Sequence, residues 1–375
     1  LLHADCMLML RPVDPTLARS LAGARKLASH SSTEVGVLLA EARLARTLGH
    51  LVNHHKKLKE AEDAAESSAD PRLVSQVACE RAGALRLAGR IRDADRWVET
   101  AMTAGAEAGE QPLLWARVTE ASVRVGQGRF AEALSTLDNV IDGFTRLDLP
   151  RGIWACLPSR ATVLRLQGRY TEALDAIYQF MPQVRRCQEP TPLIRLLLVA
   201  AECEADLHRL GRAQEHIDEI DTLVRKGEQL DLRLAASLLR GRILLSSGHL
   251  RPAHMTLDEA HQRARAAGLP AISEVARALT AETLQALDNR RGARDLFASA
   301  ILGLMGAGDA AALVEGTLAR LRAMGPSEPS SQILKPIHTI MHRENLRIVT
   351  VERLLADARH HERWQRTSDA RSSTL

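Results

Sequence analysis

One motif recurs down the chain at a nearly constant interval. It stands as GHLVNH from residue 49, GRIRDA from 89, GRFAEA from 128, GRYTEA from 168, HRLGRA from 208, GHLRPA from 248 and DNRRGA from 288. Two further positions keep the same register. Five residues past each start, six of the seven units carry alanine (Ala94, Ala133, Ala173, Ala213, Ala253, Ala293), and His54 is the exception. Seven residues before each start, every unit has a small residue: Ala42, Ala82, Ala121, Ala161, Ala201, Gly241 and Ala281. Prolines follow the motif by 22 or 23 residues at Pro71, Pro112, Pro150, Pro190 and Pro270. A period of 39 or 40 residues held through seven units predicts a repeat array with one continuous core, because a single unit is too small to bury its own apolar face.

The residue types within a unit predict its shape. The chain is rich in Ala, Leu, Arg and Glu, which are strong helix formers, and only 3% of it is aromatic. Runs of β-branched and aromatic residues that would build strands are nearly absent. Each unit is therefore expected to be two helices joined by a tight turn, with the motif glycine supplying the left-handed backbone there. The two small positions are expected where helices cross, since only a missing side chain lets backbones approach to ~8 Å. The prolines are expected to stop the second helix of each unit. The predicted fold is all-α: a right-handed α-solenoid of about seven helix-turn-helix repeats.

The small residue, the Gly–x–aromatic turn and the following alanine resemble the tetratricopeptide repeat, and AEALSTL and TEALDAI match the start of that family's second helix. The period of 40 departs from that family's 34, so the helices should be about a turn longer. The first-helix aromatics are also mostly replaced by Leu, Val and Ala. Both departures resemble the long repeats in C-terminal regions of large bacterial signalling ATPases and kinases. The resemblance spans roughly residues 30–310.

Outside that span, residues 1–29 are expected to form a truncated helical unit, and LLHADCMLML at the start implies a piece of a longer protein. A helix over 311–324 should cap the last repeat. GPSEPSS (325–331) is the linker candidate, 332–364 should form short helices, and 365–375 a frayed tail.

The chain lacks the usual marks of catalysis. It has no phosphate-binding glycine loop, no G-x-S-x-G elbow and no locally supported Cys/His pair. The expectation is no enzyme activity and no cofactor. His50 and His54, four residues apart, could share a metal, but no further ligands stand at fixed offsets; both are expected on the surface of the turn. HHE at 360–362 lacks the H-E-x-x-H spacing. Five cysteines without a C-x-x-C pair are expected as buried thiols in a reducing cytoplasm. No apolar run reaches membrane-spanning length. A net charge of +4 is small for this length, and the C-terminal arginines are interleaved with acids and lack a legible second helix, so no nucleic-acid partner is expected.

What remains is binding. In the resembled family the first helices line a concave groove, and residues one and four past the small position should face it: Arg43, Arg46, Arg86, Thr162, Arg165, Glu202, Arg242 and Glu282. Arginine predominates, which suits an acidic protein or peptide segment, although pairing with glutamates of neighbouring units would account for the same residues. The expected function is a non-catalytic interaction scaffold or sensor within a larger bacterial signalling protein. The alternative is the effector-binding arm of a transcriptional regulator whose DNA-binding domain lies outside this chain.

Overall fold

The computed structural model describes residues 21, 23, 31–47, 49–187, 190–224, 230–324 and 329–358, and among these every regular element is helical. Seven antiparallel pairs follow one another: α1 (Ser31–Thr47) with α2 (Leu51–Ser68), α3 (Pro71–Leu87) with α4 (Ile91–Ala108), α5 (Glu110–Gly126) with α6 (Phe130–Arg146), α7 (Pro150–Leu166) with α8 (Tyr170–Arg186), α9 (Pro190–Asp206) with α10 (Leu210–Leu223), α11 (Leu230–Ser246) with α12 (Leu250–Ala266), and α13 (Pro270–Ala286) with α14 (Arg290–Ala307). A single helix, α15 (Ala310–Arg322), comes next. Short pieces end the described chain: α16 (Ser330–Leu334), a 3₁₀ turn (Lys335–Ile337), α17 (His338–Glu344) and α18 (347–358).

The small positions do what their chemistry requires. All seven before the turn are buried, and so are the six alanines after it. At Gly241 a Cβ would come within 2.5 Å of Leu257, so even alanine would not fit that crossing. His54 corrects the expectation of a surface histidine. It takes the alanine place in the first unit, is only 2% exposed, and its Nδ1 lies 2.8 Å from the Ala42 carbonyl, the partner that makes a buried imidazole tolerable. Burial holds its pKa below the ordinary value, so the ring is neutral and Nδ1–H donates.

The prolines also act differently from expectation. Pro71, Pro150, Pro190 and Pro270 open the first helix of the next unit. A first-turn residue has no intrahelical partner for its N–H, so proline loses nothing there and its fixed φ favours the helix. Two other expectations shift. Cys156 and Cys203 are buried, whereas Cys187 is exposed at the end of α8 and Cys79 is partly so; Cys6 lies outside the described residues. The linker candidate narrows, because α16 already begins at Ser330. The frayed tail, the HHE triplet, and residues 1–29 except Leu21 and Gly23 lie outside the described residues.

The turns reveal how the pairs are wound. At Gly89 (φ +73°) the backbone closes in a Schellman motif, with Arg90 N–H donating to Leu85 O at 2.8 Å. His208 and Asp288 take the same left-handed conformation without being glycine, at φ 57° and 64°. Four of the five glycine turns carry a neighbour, and the fifth, Gly248, faces open space. A side chain on Gly49 would meet Leu230, one on Gly89 would meet Pro270 and Ala307, one on Gly128 would meet Ala310 and Ile340, and one on Gly168 would meet Arg347, all at 2.9–3.4 Å. Each neighbour begins about 180 residues further on, four and a half units. The superhelix thus completes a turn in that length, and its second turn seats on the glycine turns of the first. His208 and Asp288 are exposed, so their side chains have room, although the left-handed backbone still strains them.

The C-terminal pieces strengthen this seam. Ile333, Leu334, Ile337, Met341, Leu346, Ile348 and Val349 share one apolar cluster with Phe130, Val163 and Leu166 of the first turn and with Leu304 and Val314 of the second. Two polar contacts fix the register: the buried Glu344 carboxylate accepts from Ala131 N–H at 2.7 Å, and Arg343 donates to Gly128 O at 2.5 Å. The segment after the repeats therefore joins two turns of the superhelix as well as covering α15.

Candidate functional site

Winding two turns into contact encloses a lumen lined by first helices. A chain of ion pairs runs along it. Arg43 of α1 donates to Glu80 of α3 at 2.8 Å, Arg165 of α7 reaches Glu202 and Asp206 of α9, Arg242 of α11 also binds Asp206, and Arg322 of α15 grips Glu282 of α13 through two bonds of 2.8 and 2.9 Å. Two further pairs cross between the superhelical turns: Arg165 with Glu315, and Arg86 with Asp309 at 3.7 Å. Every one of these residues belongs to a first helix or its cap.

Some lumenal side chains keep exposed surface although protein surrounds them. Desolvation lowers the pKa of Arg195, yet 39% of its side-chain surface is open to water. Desolvation likewise raises the pKa of Glu202, which Arg165 pulls back and Glu315 pushes further, while 32% of Glu202 remains exposed. Arg195 and Glu202 are thus partly exposed side chains with protein around them, as expected on the inner face of a superhelix.

Arg165 is the hub. Its side chain is 3% exposed and faces Glu315, Glu202 and Asp206, whose charges hold its pKa well above the usual guanidinium value despite burial. Asp206 stays below the ordinary carboxylate value because Arg242 and Arg165 together outweigh its own burial. Glu80 is held down to about 2 by Arg43 and Arg46 against the opposing cost of desolvation. A carboxylate with a depressed folded pKa contributes stability that is present above its unfolded value, about 4.3, and is lost as pH falls toward the folded value. Wild-type stability should thus decline between pH 5 and about pH 2 more steeply than that of Glu80→Gln, measured by urea unfolding at a series of pH values. Parallel curves would show that Glu80 is not held in this way.

The eight residues expected to face the groove fall into two sets. Arg43, Arg165, Arg242, Glu202 and Glu282 are joined to partners within the solenoid. Arg46 makes no ion pair within 4 Å among the described residues, Arg86 has only the long contact to Asp309, and Thr162 is half-buried without a recorded side-chain partner. Sequence reasoning missed Arg195, Asp206, Asp231, Asp309 and Glu315, which reach the lumen from helix ends or from the second superhelical turn. Among the described residues, no three of His, Cys, Asp and Glu gather as a metal-ligand set, and no helix is long and apolar enough to cross a membrane.

No protein-family model matches the chain, and no curated protein matches it in sequence. Solved structures of the same fold do. A Rap protein complexed with competence and sporulation factor superposes with a TM-score of 0.63 at 12% identity, over 91% of this chain and 99% of that one. NprR in complex with its cognate peptide NprX gives 0.55 at 13% identity, over 76% and 82%. Aspartyl phosphate phosphatase F from Bacillus subtilis gives 0.54 at 14% identity, over 77% and 76%. At these identities the likeness is one of fold: a helical-repeat solenoid of the tetratricopeptide type.

Proposed function

We propose that the chain is a non-catalytic interaction scaffold that takes a protein or peptide segment into its lumen and senses it. The observation that carries this reading is the lumen itself, walled by first helices whose charged side chains lie among protein yet keep exposed surface. A strand of polypeptide inserted there would meet charged groups on successive rungs and displace water from them. NprR, with its cognate peptide in a solenoid of similar fold, supports the same use of the architecture. An acidic segment suits the arginines of the groove, and Arg43, Arg46, Arg86, Thr162, Arg165, Glu202, Arg242 and Glu282 are the proposed lining. Relay of the bound state to a catalytic module of a larger bacterial signalling protein rests on the resemblance of the repeats alone.

The test is affinity selection. The purified chain is incubated with an equimolar mixture of short synthetic peptides, and retained sequences are read by mass spectrometry. Retention of a restricted set is expected. Recovery of the input mixture unchanged would contradict a peptide-binding lumen.

A further inference from the structure

We infer that the junction of α12, α13 and α14 is a second binding site, one that takes a small zwitterion of about dipeptide size. Two of its three walls are second helices, so it is separate from the lumen and does not depend on what the lumen binds.

The three helices border a cavity of about 610 Å³, within the range of small-molecule sites. It exists because the repeat departs from its own pattern here. Fourteen residues before the turn, the first six units bury Val35, Ser75, Leu114, Trp154, Ile194 and Leu234, whereas the seventh has Glu274. His261 and Ser273 face each other across the junction. The same two places hold Ile141 with Ile153, Met181 with Leu193 and Ile301 with Leu313, and each pair packs in one apolar cluster. Shorter and polar side chains leave the space between the helices unfilled.

The polar groups are held in place. His261 Nδ1 lies 3.0 Å from Ser273 Oγ and 3.1 Å from the Ser273 carbonyl oxygen, and Ser273 is 2% exposed. The carbonyl can only accept, so in the neutral ring Nδ1 carries the hydrogen and Nε2 is left as an acceptor. Arg277 donates to Glu274 at 2.7 Å, and the two neutralise one another. Two charges on α12 lack such a counterpart. Asp258 accepts from the uncharged Gln262 amide, and neither Asp258 nor Arg265 makes an ion pair within 4 Å among the described residues. They stand seven residues apart on one helix face, about 10 Å along the axis, with His261 between them. Leu269, Pro270 and Leu296 add apolar wall.

An anion alone would also meet Asp258 and Glu274, and a cation alone Arg265 and Arg277. A molecule with both charges satisfies each end: its carboxylate enters the fork of Arg265, and its ammonium donates to Asp258 and to Nε2 of His261. The termini of an extended dipeptide are about 7 Å apart and fit this spacing with a hydrogen bond at each end. The charges of an α-amino acid flank a single carbon and fall short.

The probe is a panel of dipeptides, each free, N-acetylated and C-amidated, with free amino acids alongside, and binding is read by ligand-observed NMR titration. Wild type should bind free dipeptides and hold either blocked form about tenfold or more weakly. R265Q, at an exposed position, and D258N should each lose a similar factor at unchanged helicity. H261M/S273L, which installs the pair present as Met181 and Leu193, should fill the cavity and abolish binding. Unchanged affinity in H261M/S273L would put the dipeptide elsewhere, the lumen included, and overturn the assignment. So would equal binding of free and blocked forms, amino acids that bind as tightly as dipeptides, or no binding to wild type. Should the double variant fail to fold, R265Q and D258N make the same comparison.

Discussion

Arg165→Leu is expected to lower folding stability by about 3–5 kcal/mol, because it strands a set of carboxylates in the wall of the lumen. Glu202, Asp206 and Glu315 all face this one guanidinium, whose side chain is 3% exposed. Removing it leaves the three negative charges with less than their compensation, and Arg242 alone remains on Asp206. Arg165→Lys should recover little, since a single ammonium cannot span acceptors on α9 and α15 at once. The loss should appear as a fall in the urea midpoint for both superhelical turns, because Glu315 lies 150 residues from Arg165 and the pair ties one turn to the other. A variant that unfolds at the wild-type midpoint would show that the network is dispensable. The same reasoning makes Arg165 a poor probe of partner capture: its substitution disturbs the wall before it disturbs any ligand.

Phe144→Ala should cost a similar amount, about 3–5 kcal/mol, for an apolar reason. The ring is fully buried where α6 hands over to α7, with Trp115 at a centroid distance of 5.1 Å. Gly152 faces it so closely that a Cβ there would come within 2.4 Å of the ring. A glycine and a rigid turn cannot collapse into the space a phenyl leaves, so the cavity persists and its lining loses contact. Gly152→Val should destabilise the wild type by overpacking, yet restore part of the loss in Phe144→Ala by filling the void. Thermal melting of the two single variants and the double variant tests the coupling. Additive effects would rule out a shared packing site.

Much of this architecture was written in the amino acids. The motif glycines, the alanines on either side and the helix-forming composition specified seven helix pairs and their crossings, because those features act between neighbours. His54 was visible as the one break in the alanine column, although its role in a buried hydrogen bond needed coordinates. The prolines were placed correctly and given the wrong function: a residue between two helices ends one and begins the next, and periodicity alone does not separate the two. The closure of the superhelix was not legible. Its contacts join residues about 180 positions apart and leave no local trace, since Gly248 keeps glycine on a turn with open space. The lumen was half legible for the same reason. Arg86 and Arg165 were found by their place in the unit, whereas their partners Asp309 and Glu315 reach them only because the solenoid curls back on itself.

That curling is open to a direct distance measurement. Spin labels at Arg129 and Thr339, both solvent-facing, flank the contact between Gly128 of the first superhelical turn and Ile340 at the C-terminal seam, with Cys6 and Cys187 replaced by serine so that only Cys156 and Cys203, buried, and the partly exposed Cys79 remain. Electron–electron resonance should return one narrow distance of about two helix diameters, roughly 20 Å. A broad distribution centred well beyond that value would show turns that stand apart, and with them a groove open to bulk water in place of an enclosed lumen.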